Sequence, residues 1–319
     1  MYKCVIIGAG SIGALKPDKF DSPLTENILT HAHAITAHSK FELTGFVDTD
    51  SKKSKQACLK WSALFYDNEI KRIPKDTDVI IVTTPTSTHH KVLTEVIKLQ
   101  PKIIIAEKPF TDNSAQAMNI IGKAQEAGIP IAINYIRRYE ANIKKLAGEI
   151  KSGIYGARYY CKVAYCRGFK HDGSHAMDLM CNFFGDYSRG QILGLSINDR
   201  DAQDRTRAAH LQFAGCHHVF FCPVDGRDIS MFEIEIMTKT GKIVLSSHSR
   251  FMQFYPKIKE PDHGDFSTVS TIETRIETSL NTALMKLYDN IAGYLDGTDE
   301  LLCTAQDALE VHAIYEDLK

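Results

Sequence analysis

The fold of the amino-terminal part is decided by residues 2–13, which read Tyr-Lys-Cys-Val-Ile-Ile-Gly-Ala-Gly-Ser-Ile-Gly. The apolar run that ends at Ile7 predicts a buried strand, and glycines with the spacing Gly-x-Gly-x-x-Gly follow it at once. In such a loop Gly8 permits a tight turn, Gly10 lets a pyrophosphate approach the backbone, and Gly13 allows a helix to pack closely on the strand. The stretch therefore predicts a dinucleotide-binding loop, with the cofactor-binding residues Gly8, Gly10, Ser11, Ile12 and Gly13.

A carboxylate follows the second predicted strand at Asp48, where it can accept hydrogen bonds from both ribose hydroxyls of an adenosine. The segment from Asp48 to Asp50 contains no arginine that could bind a 2′-phosphate, and its two carboxylates repel such a phosphate. NAD is therefore the expected cofactor. Lys52 and Lys53 keep NADP open as the alternative.

Asp48 lies farther from Gly13 than the ~20 residues typical of this fingerprint. The surplus is residues 15–29, whose two prolines exclude a regular helix, and a helix is predicted at residues 30–38. We expect an inserted loop that covers the cofactor, lines the substrate pocket or decorates the surface. The histidines of the following helix have no acidic neighbours in the sequence and are expected at the surface; they are His31, His33 and His38.

The bulk composition restricts the class of protein. The 319 residues suit two domains, and a net charge of −1 provides no global basic field for nucleic acid or an anionic membrane. No apolar run approaches the ~20 residues of a membrane span, and the first one is too short for a signal peptide. Eight cysteines without a Cys-x-x-Cys pair indicate buried thiols in a reducing, cytoplasmic setting. A metal site is not expected, even at the cluster of Cys216, His217, His218 and Cys222, because neighbours on a strand point to opposite faces.

The pattern of elements changes near residue 135, which divides the chain into two predicted domains, 1–135 and 136–319. Before this point short apolar runs alternate with amphipathic helical patterns, which predicts an α/β Rossmann domain with a doubly wound parallel sheet. After it, strand-like runs joined by short turns predict an α+β domain with a large, mainly antiparallel open sheet, closed by two helices. The strand-like runs are residues 3–7, 42–47, 79–83, 102–106 and 129–133, then 158–165, 191–197, 208–213, 218–222, 231–237 and 242–245.

A charged pair, Glu107 and Lys108, directly follows the apolar run 103–105 and precedes Pro109. Because proline stops a central strand, both side chains are expected at the carboxyl end of a buried strand, where open α/β sheets bind ligands. Burial depresses the pKa of a lysine, and such a lysine exchanges protons near neutral pH. Taken alone, the tetrapeptide Ala-Glu-Lys-Pro is equally compatible with an exposed turn.

Three motifs follow the glycine loop in order: Thr-Pro-x-x-x-His from Thr84, Glu-Lys-Pro from Glu107, and Asn-x-x-Arg-Arg from Asn134. In this order they resemble the glucose–fructose oxidoreductase/inositol dehydrogenase/MocA (Gfo/Idh/MocA) family across the first domain. The resemblance implies further cofactor-binding residues, namely Asp48, Thr84, Pro85, His89, Glu107, Lys108 and Asn134. Arg137 and Arg138, directly after the fifth strand, are either a solvated pair or contact the substrate or cofactor; we name them, with His171, as the expected substrate-binding residues. From the residues alone, His89 is equally suited to cap its own helix.

The second domain extends the resemblance, because residues 173–178 are similar to the family's Gly-x-His-x-x-Asp segment and residues 304–309 to its closing helix. The resemblance implies that Lys108 and His175 face the substrate carbon that gives up hydride. One accepts the proton and the other stabilises the alkoxide, and the sequence does not rank them.

One position departs from the family pattern. Many members carry an aspartate four residues before this histidine, whereas the chain has His171 there and Asp172 one place later. Gly173 favours a loop at this point. Three alternatives are then open: Asp172 reaches the site by another backbone path, His171 replaces the carboxylate, or Lys108 and His175 carry the proton alone. We name Lys108, His175 and Asp172 as the expected catalytic residues.

The activity that the resemblance implies is NAD(P)-dependent hydride transfer to or from a secondary alcohol or ketone of a sugar or sugar derivative, nucleotide-linked sugars included. A non-catalytic cofactor-binding sensor or scaffold of the same fold stays open as an alternative, as does a reductase of imine or pyrrole-type substrates. The resemblance also implies a homodimer or homotetramer that pairs through the second domain's sheet.

Overall fold

The computed structural model describes residues 1–260, 262 and 264–318. The chain forms two compact units. The first is Met1–Tyr139 with Asn281–Leu309, and the second is Glu140–Leu280 with the chain from Glu310 onward. The first unit therefore extends past the predicted boundary after residue 135 and includes a segment that the sequence assigned to the second domain. That boundary stays a prediction.

The first unit is built on a parallel six-stranded sheet of order β3-β2-β1-β4-β5-β6. Its strands are β1 (Tyr2–Ile7), β2 (Phe41–Val47), β3 (Phe65–Asp67), β4 (Val79–Val82), β5 (Ile103–Ala106) and β6 (Ile131–Ile133). Its helices are α1 (His31–Ala37), α2 (Ser51–Trp61), α3 (Thr86–Ile97), α4 (Ser114–Glu126) and α7 (Ala283–Leu295). The direction of winding reverses between β1 and β4, so their carboxyl ends open the crevice in which doubly wound sheets bind ligands. The predicted Rossmann fold is confirmed.

The helix after the glycine loop is made of two separate pieces of chain. One turn forms at Gly10–Ala14, where the last N–H donates to the first carbonyl at 2.9 Å. The chain then leaves through residues 15–29, which contain no helix or strand, and returns at α1. The His31 N–H donates to the Ile12 carbonyl oxygen at 3.0 Å, and the next N–H donates to the next carbonyl at 2.9 Å. The insertion is thus placed inside one composite helix, and the Thr30 hydroxyl that caps α1 contributes about 1 kcal/mol.

The second unit is built on a nine-stranded sheet, counted over the described residues, of order β14-β13-β12-β11-β7-β10-β9-β8 with β15 beside β13. Its strands are β7 (Arg158–Tyr165), β8 (Tyr187–Asp201), β9 (Asp204–Phe213), β10 (Cys216–Pro223), β11 (Phe232–Thr238), β12 (Gly241–Ser246), β13 (Phe251–Lys259), β14 (Ser267–Val269) and β15 (Thr274–Glu277). Its helices are α5 (Ala141–Lys151) and α6 (Gly173–Phe184), and α8 (Ala305–Asp317) begins in the first unit and ends in the second. Only β7 and β10 pair in parallel within this part of the structure, which confirms a mainly antiparallel sheet.

The segment before His175 differs from the sequence prediction. A loop was expected because of Gly173, but a π-helical turn at Gly168–Asp172 runs directly into α6. Gly173 has helical angles, φ −57° and ψ −32°, and its N–H donates to the Gly168 carbonyl oxygen. The expectation was wrong because glycine permits a turn without requiring one, and neighbouring strands hold this one in helical form.

Three further features concern the described residues alone. None of the helices there is both long and apolar enough to cross a bilayer. No three His, Cys, Asp or Glu side chains are grouped there so as to hold a metal ion. All eight cysteines lie within the described ranges, and no two of them form a disulfide.

Candidate functional site

Each glycine of the loop after β1 has its own steric reason to lack a side chain. Gly8 has φ +99°, and a Cβ there would lie 2.8 Å from the carbonyl carbon of Thr83. A Cβ on Gly13 would lie 2.2 Å from the Gly8 carbonyl oxygen. At Gly10 no atom lies within 4 Å of such a Cβ, so this residue faces open space. Close packing at the outer glycines and space at the middle one fit a loop over which a pyrophosphate lies.

The loop borders a cleft of about 610 Å³ at the carboxyl ends of β1, β2 and β4. This volume is within the range of small-molecule and cofactor sites, about 300–1,000 Å³. The expected cofactor residues that line it are Gly8, Gly10, Asp48, Thr84 and Pro85. Two cations, Lys53 and Lys91, also line the cleft. Lys53 is one of the two lysines that keep NADP as the alternative cofactor.

The Asp48 carboxylate is oriented by two backbone N–H groups. One carboxylate oxygen accepts the Ala9 N–H at 2.8 Å and the other accepts the Asp50 N–H at 2.9 Å. Each oxygen keeps a second lone pair, which is what two ribose hydroxyls require. The Asp50 carboxylate instead caps α2 by accepting the Lys52 N–H at 3.0 Å.

His89 lies between two backbone carbonyls and is fully buried. Its Nε2 is 2.7 Å from the Thr84 carbonyl oxygen and its Nδ1 is 3.0 Å from that of Phe110. The ring thus joins the turn after β4 to the segment after β5, and neither contact caps a helix. A direct contact of His89 with the cofactor stays a prediction.

Glu107 and Lys108 occupy the carboxyl end of β5 as expected, with a buried carboxylate and a half-buried lysine. The Glu107 Oε1 atom accepts from Asn134 Nδ2 at 2.6 Å and from His31 Nε2 at 3.1 Å. Burial raises the pKa of the Glu107 carboxyl, but the hydrogen bonds and nearby positive charge outweigh burial and hold that pKa below its usual value. Asn134 is itself buried, and its Oδ1 has no hydrogen-bond partner among the described residues.

Two of the three histidines of α1 are buried against acids, which corrects the expectation that all three lie at the surface. His31 has no exposed area; it contacts Glu107, and its Nδ1 is 2.9 Å from the Tyr288 hydroxyl. His33 is nearly buried, with its Nδ1 3.0 Å from the fully buried Asp21 carboxylate. His38 is half-buried and lies near the carboxylate of Asp289 at 3.2 Å. The sequence prediction was wrong because these partners approach only through tertiary folding.

The inserted segment 15–29 is tied to the first unit by its acidic and carbonyl groups. The Asp21 carboxylate accepts from the Leu29 N–H and the Thr30 hydroxyl as well as from His33. Lys60 Nζ donates to two carbonyl oxygens of the segment at 2.9 Å each. None of the residues lining the cleft described above belongs to the segment, so its role toward cofactor or substrate stays a prediction.

The arginine pair after β6 is buried. Arg138 Nη1 forms an ion pair with the Asp307 carboxylate at 2.7 Å and also donates to the Leu302 carbonyl oxygen at 3.3 Å. Burial raises the pKa of Asp307, but the Arg138 charge and hydrogen bonds from Thr304 hold that pKa below its usual value. Arg138 therefore holds the start of α8, and substrate contacts by Arg137 and Arg138 stay predictions.

In the second unit His175 lies half-buried on α6. His171 and Asp172 precede it by four and three residues on continuous helical backbone, so all three lie toward one helix face. Asp172 is buried and its Oδ2 accepts from Arg167 Nε at 2.8 Å, while its Oδ1 is 3.7 Å from His171 Nε2. Asp172 therefore lies three residues before His175 on helical backbone, one residue after the position at which the resembled family carries an aspartate. The Arg167 guanidinium is its ion-pair partner.

Acidic and hydroxyl side chains of β8 and β9 hold the π-helical turn in place. Arg167 has φ +61°, unusual for a residue with a side chain, and its N–H donates to Asp199 at 2.7 Å. The Gly168 N–H donates to the Thr206 hydroxyl at 2.7 Å. The N–H groups of Lys170 and His171 both donate to the Asp204 carboxylate. Burial raises the pKa of Asp204, although these hydrogen bonds oppose the shift.

Sequence reasoning missed three residues next to the expected site: His31, Tyr288 and Arg167. Arg167 carries a faint signal, since an arginine five residues before Asp172 is suited to pair with it only if the turn is helical. His31 and Tyr288 meet from opposite ends of the chain, and no local pattern relates them.

Comparison with known proteins gives a family match for the first domain. Residues 2–135 match the family described as "Oxidoreductase family, NAD-binding Rossmann fold". UDP-N-acetylglucosamine 3-dehydrogenase of Acidithiobacillus ferrooxidans is 28% identical over 153 residues, which are 47% of this chain and 46% of that protein. The scyllo-inositol 2-dehydrogenase (NAD(+)) of Bacillus subtilis is 29% identical over 125 residues, 39% of this chain and 33% of that protein. The chain spans less than half the length of these two relatives in the matched regions.

A solved structure matches nearly the whole chain. The WlbA dehydrogenase of Bordetella pertussis, solved in complex with NADH and UDP-GlcNAcA, has a TM-score of 0.76 and 17% identity. The match covers 99% of this chain and 95% of that one. At this identity the likeness shows the fold, and it includes both units.

Proposed function

We propose that this chain, whose first domain belongs to the Gfo/Idh/MocA family of NAD-binding oxidoreductases, is an NAD-dependent dehydrogenase or reductase acting on a secondary alcohol or ketone. The observation that carries the proposal is the open floor of the glycine loop at Gly10, beside the oriented Asp48 carboxylate and the cleft. This arrangement fits a dinucleotide. Glu107 and Lys108 directly follow β5, a strand of the same sheet.

The residues of the first unit that would hold NAD follow from the cleft. The loop at Gly10 would receive the pyrophosphate, and Asp48 the adenosine ribose. The Asn134 Oδ1 atom, buried and without a partner among the described residues, is suited to accept from an amide donor such as the carboxamide. Bound NAD would supply the hydride acceptor, and the hydroxyl proton released as the carbinol carbon loses its hydride would pass to a base of this chain.

We assign Lys108 and His175 to the substrate oxygen, with one accepting the proton and the other donating a hydrogen bond to the developing charge. Asp172, three residues before His175 on the helical backbone and bonded to Arg167, would stabilise the histidine when it is protonated. His171 and Arg137 are proposed to contact the substrate.

For the substrate, we propose a sugar or sugar derivative with a free secondary hydroxyl. Named relatives act on inositols and on UDP-N-acetylglucosamine, which supports cyclic polyhydroxy compounds, nucleotide-linked sugars among them. The relatives are named as dehydrogenases, so the sensor and imine-reductase alternatives are not favoured.

Assembly and location are part of the proposal. The second unit's sheet exposes large apolar side chains such as Leu193, Leu195 and Phe220, which supports pairing of subunits into a homodimer or homotetramer. Light scattering on protein eluted from a size-exclusion column measures the number of subunits directly. We propose a reducing, cytoplasmic setting, as the cysteine pattern of the sequence predicts.

The test of the proposed function begins with cofactor binding. The single tryptophan, Trp61, donates to the Ala14 carbonyl oxygen in the turn after the glycine loop, which makes its fluorescence a local probe. We expect NADH to quench it in a saturable way, with NADPH weaker. Failure of both to bind would end the proposal.

Turnover is then tested with Lys108→Met. We expect NADH formation on a polyol and nucleotide-sugar panel to be abolished while NAD affinity stays within a few fold. The exposed lysine variant Lys144→Met is the matched control and keeps wild-type turnover. Unchanged turnover in Lys108→Met would show that its assigned role is wrong.

A further inference from the structure

A chain of hydrogen bonds lies behind Lys108 and is not used by the mechanism above. It runs from the Tyr288 hydroxyl on α7 to His31 on α1 (2.9 Å) and from His31 to the Glu107 carboxylate at the end of β5 (3.1 Å). Tyr288 and His31 have no exposed area, and Glu107 is buried. All three residues, and Lys108, belong to the first unit.

The hydrogen-bond directions in this chain have one arrangement that satisfies every group. A carboxylate only accepts, so His31 Nε2 carries the proton that is donated to Glu107. In the neutral ring Nδ1 is then an acceptor, which receives the Tyr288 O–H. Among the described residues His31 is the one hydrogen-bond partner of this hydroxyl.

These hydrogen bonds stabilise a buried anion, the Glu107 carboxylate, next to Lys108 in the chain. Two donors, His31 Nε2 and Asn134 Nδ2, converge on one oxygen of Glu107. Without them a carboxyl group at this depth would take up a proton, because burial disfavours its charged form. Lys108 is the next residue in the chain, and its charge interacts favourably with that of Glu107.

We propose that Tyr288, His31 and Glu107 form a positioning relay that keeps a carboxylate anion next to Lys108 in the chain and so holds Lys108 as an ammonium donor to the substrate oxygen. The proposal rests on the proposed function and deepens it by giving Lys108 the donor role. Tyr288 and His31 act through Glu107 and are positioning residues.

Other ionisable groups that face the relay do not supply the same charge. From β1 the Cys4 thiol faces Tyr288, and burial raises the pKa of this thiol well above its usual value, so it stays neutral. Burial likewise raises the pKa of Tyr288 far above the usual range. Glu107 is therefore the anion of the group, and Lys108 is the cation.

The relay depends on the two-piece helix. The insertion at residues 15–29 returns the chain so that α1 continues the turn after the glycine loop, and this continuation brings His31 to Glu107.

The test measures the protonation of Lys108 without cofactor or substrate. Competitive acetylation of the whole protein, with Lys108 quantified by mass spectrometry across a pH series, reports the fraction of free amine. In His31→Leu the Glu107 carboxyl loses one of its two donors and takes up a proton more readily, so the pKa of Lys108 is expected to fall. We expect acetylation of Lys108 to be about tenfold faster at mildly alkaline pH.

Two further variants distinguish the effect of the relay from a general effect of removing a buried histidine. His31→Gln keeps an N–H donor for Glu107 and is expected to return the Lys108 profile to within about threefold of wild type. The matched control is His33→Leu, which removes a buried His–carboxylate pair on the same helix and is expected to leave the profile unchanged. An unchanged profile in His31→Leu, or an equal shift in His33→Leu, overturns the proposal.

If His31→Leu does not fold, Tyr288→Phe replaces it as the test. Loss of the hydroxyl leaves His31 Nδ1 unpaired and weakens its hold on Glu107, with an expected acceleration of about threefold; no change overturns the relay. The labelling needs no activity. Failure of the proposed function would appear instead as a lack of NAD binding or as turnover that survives Lys108→Met.

Discussion

Replacing Gly10 by alanine separates cofactor binding from folding. A Cβ at this position would meet no atom within 4 Å, and the backbone is not in the left-handed region. Gly→Ala at such a position stabilises a protein by about 0.4–1 kcal/mol, because the unfolded chain loses freedom. The variant is therefore expected to unfold at a urea concentration equal to or slightly above that of the wild type.

Binding should change in the opposite direction. The added methyl group occupies the open floor over which the pyrophosphate is proposed to lie, and it holds the phosphate away from the backbone N–H groups. Loss of one hydrogen bond to a charged acceptor costs about 1.5–3 kcal/mol, so NAD affinity is expected to fall about ten- to a hundredfold. Titration of Trp61 fluorescence with NADH measures the affinity.

Two other glycines provide the comparison. Gly122→Ala, inside α4 and with no atom within 4 Å of its Cβ, should be stabilised by about 1 kcal/mol and keep wild-type NAD affinity. Gly13→Ala places its Cβ 2.2 Å from a backbone carbonyl oxygen and should be destabilised by several kcal/mol. Wild-type NAD affinity in Gly10→Ala would refute the placement of the pyrophosphate.

Further predictions concern stability and the second unit. Burial lowers the pKa of His312 to about 4, so stability should fall as pH drops from about 6.5 to 4, by up to about 3 kcal/mol, and urea titrations of His312→Gln should lack this slope. Arg138→Met leaves Asp307 without its cation and should cost about 2 kcal/mol of unfolding free energy with little change in KM; a raised KM at unchanged stability would instead show a substrate role. Asp172→Asn should lower kcat about tenfold or more with NAD affinity unchanged, whereas a loss of thermal stability alone would make Asp172 structural. Arg167→Gln should reduce kcat less than Asp172→Asn, and an equal or larger loss would assign Arg167 a contact with the substrate itself.

The parts of the fold that sequence predicted are those with local causes. The apolar runs of β1, β4 and β5 are buried on both faces, so their composition alone marks them as parallel strands. The three glycines were likewise predictable, since the steric demands of a dinucleotide loop fix their spacing. Asp48 was predictable from its place directly after the second strand, although the insertion lengthens its distance from Gly13.

The parts that were missed depend on distant partners. β13 alternates little in burial, so its side chains give no clear period, and the parallel pairing of β7 with β10 requires knowledge of the crossover between them. The helical turn before His175 is held by Asp199 and Asp204, which follow it in the chain by about 30 residues. Burial of His31 required Glu107 and Tyr288, from two other parts of the sequence.

The central claim is that Lys108 takes part in NAD-dependent hydride transfer at a secondary alcohol. It is tested most directly by NADH formation with wild type and Lys108→Met, each saturated with NAD, on one panel of polyols and nucleotide sugars. We expect that the wild type forms NADH with at least one compound and that the variant, with NAD affinity unchanged, is slower by at least about a thousandfold. A variant that binds NAD and turns over the same compound within tenfold of the wild-type rate contradicts it.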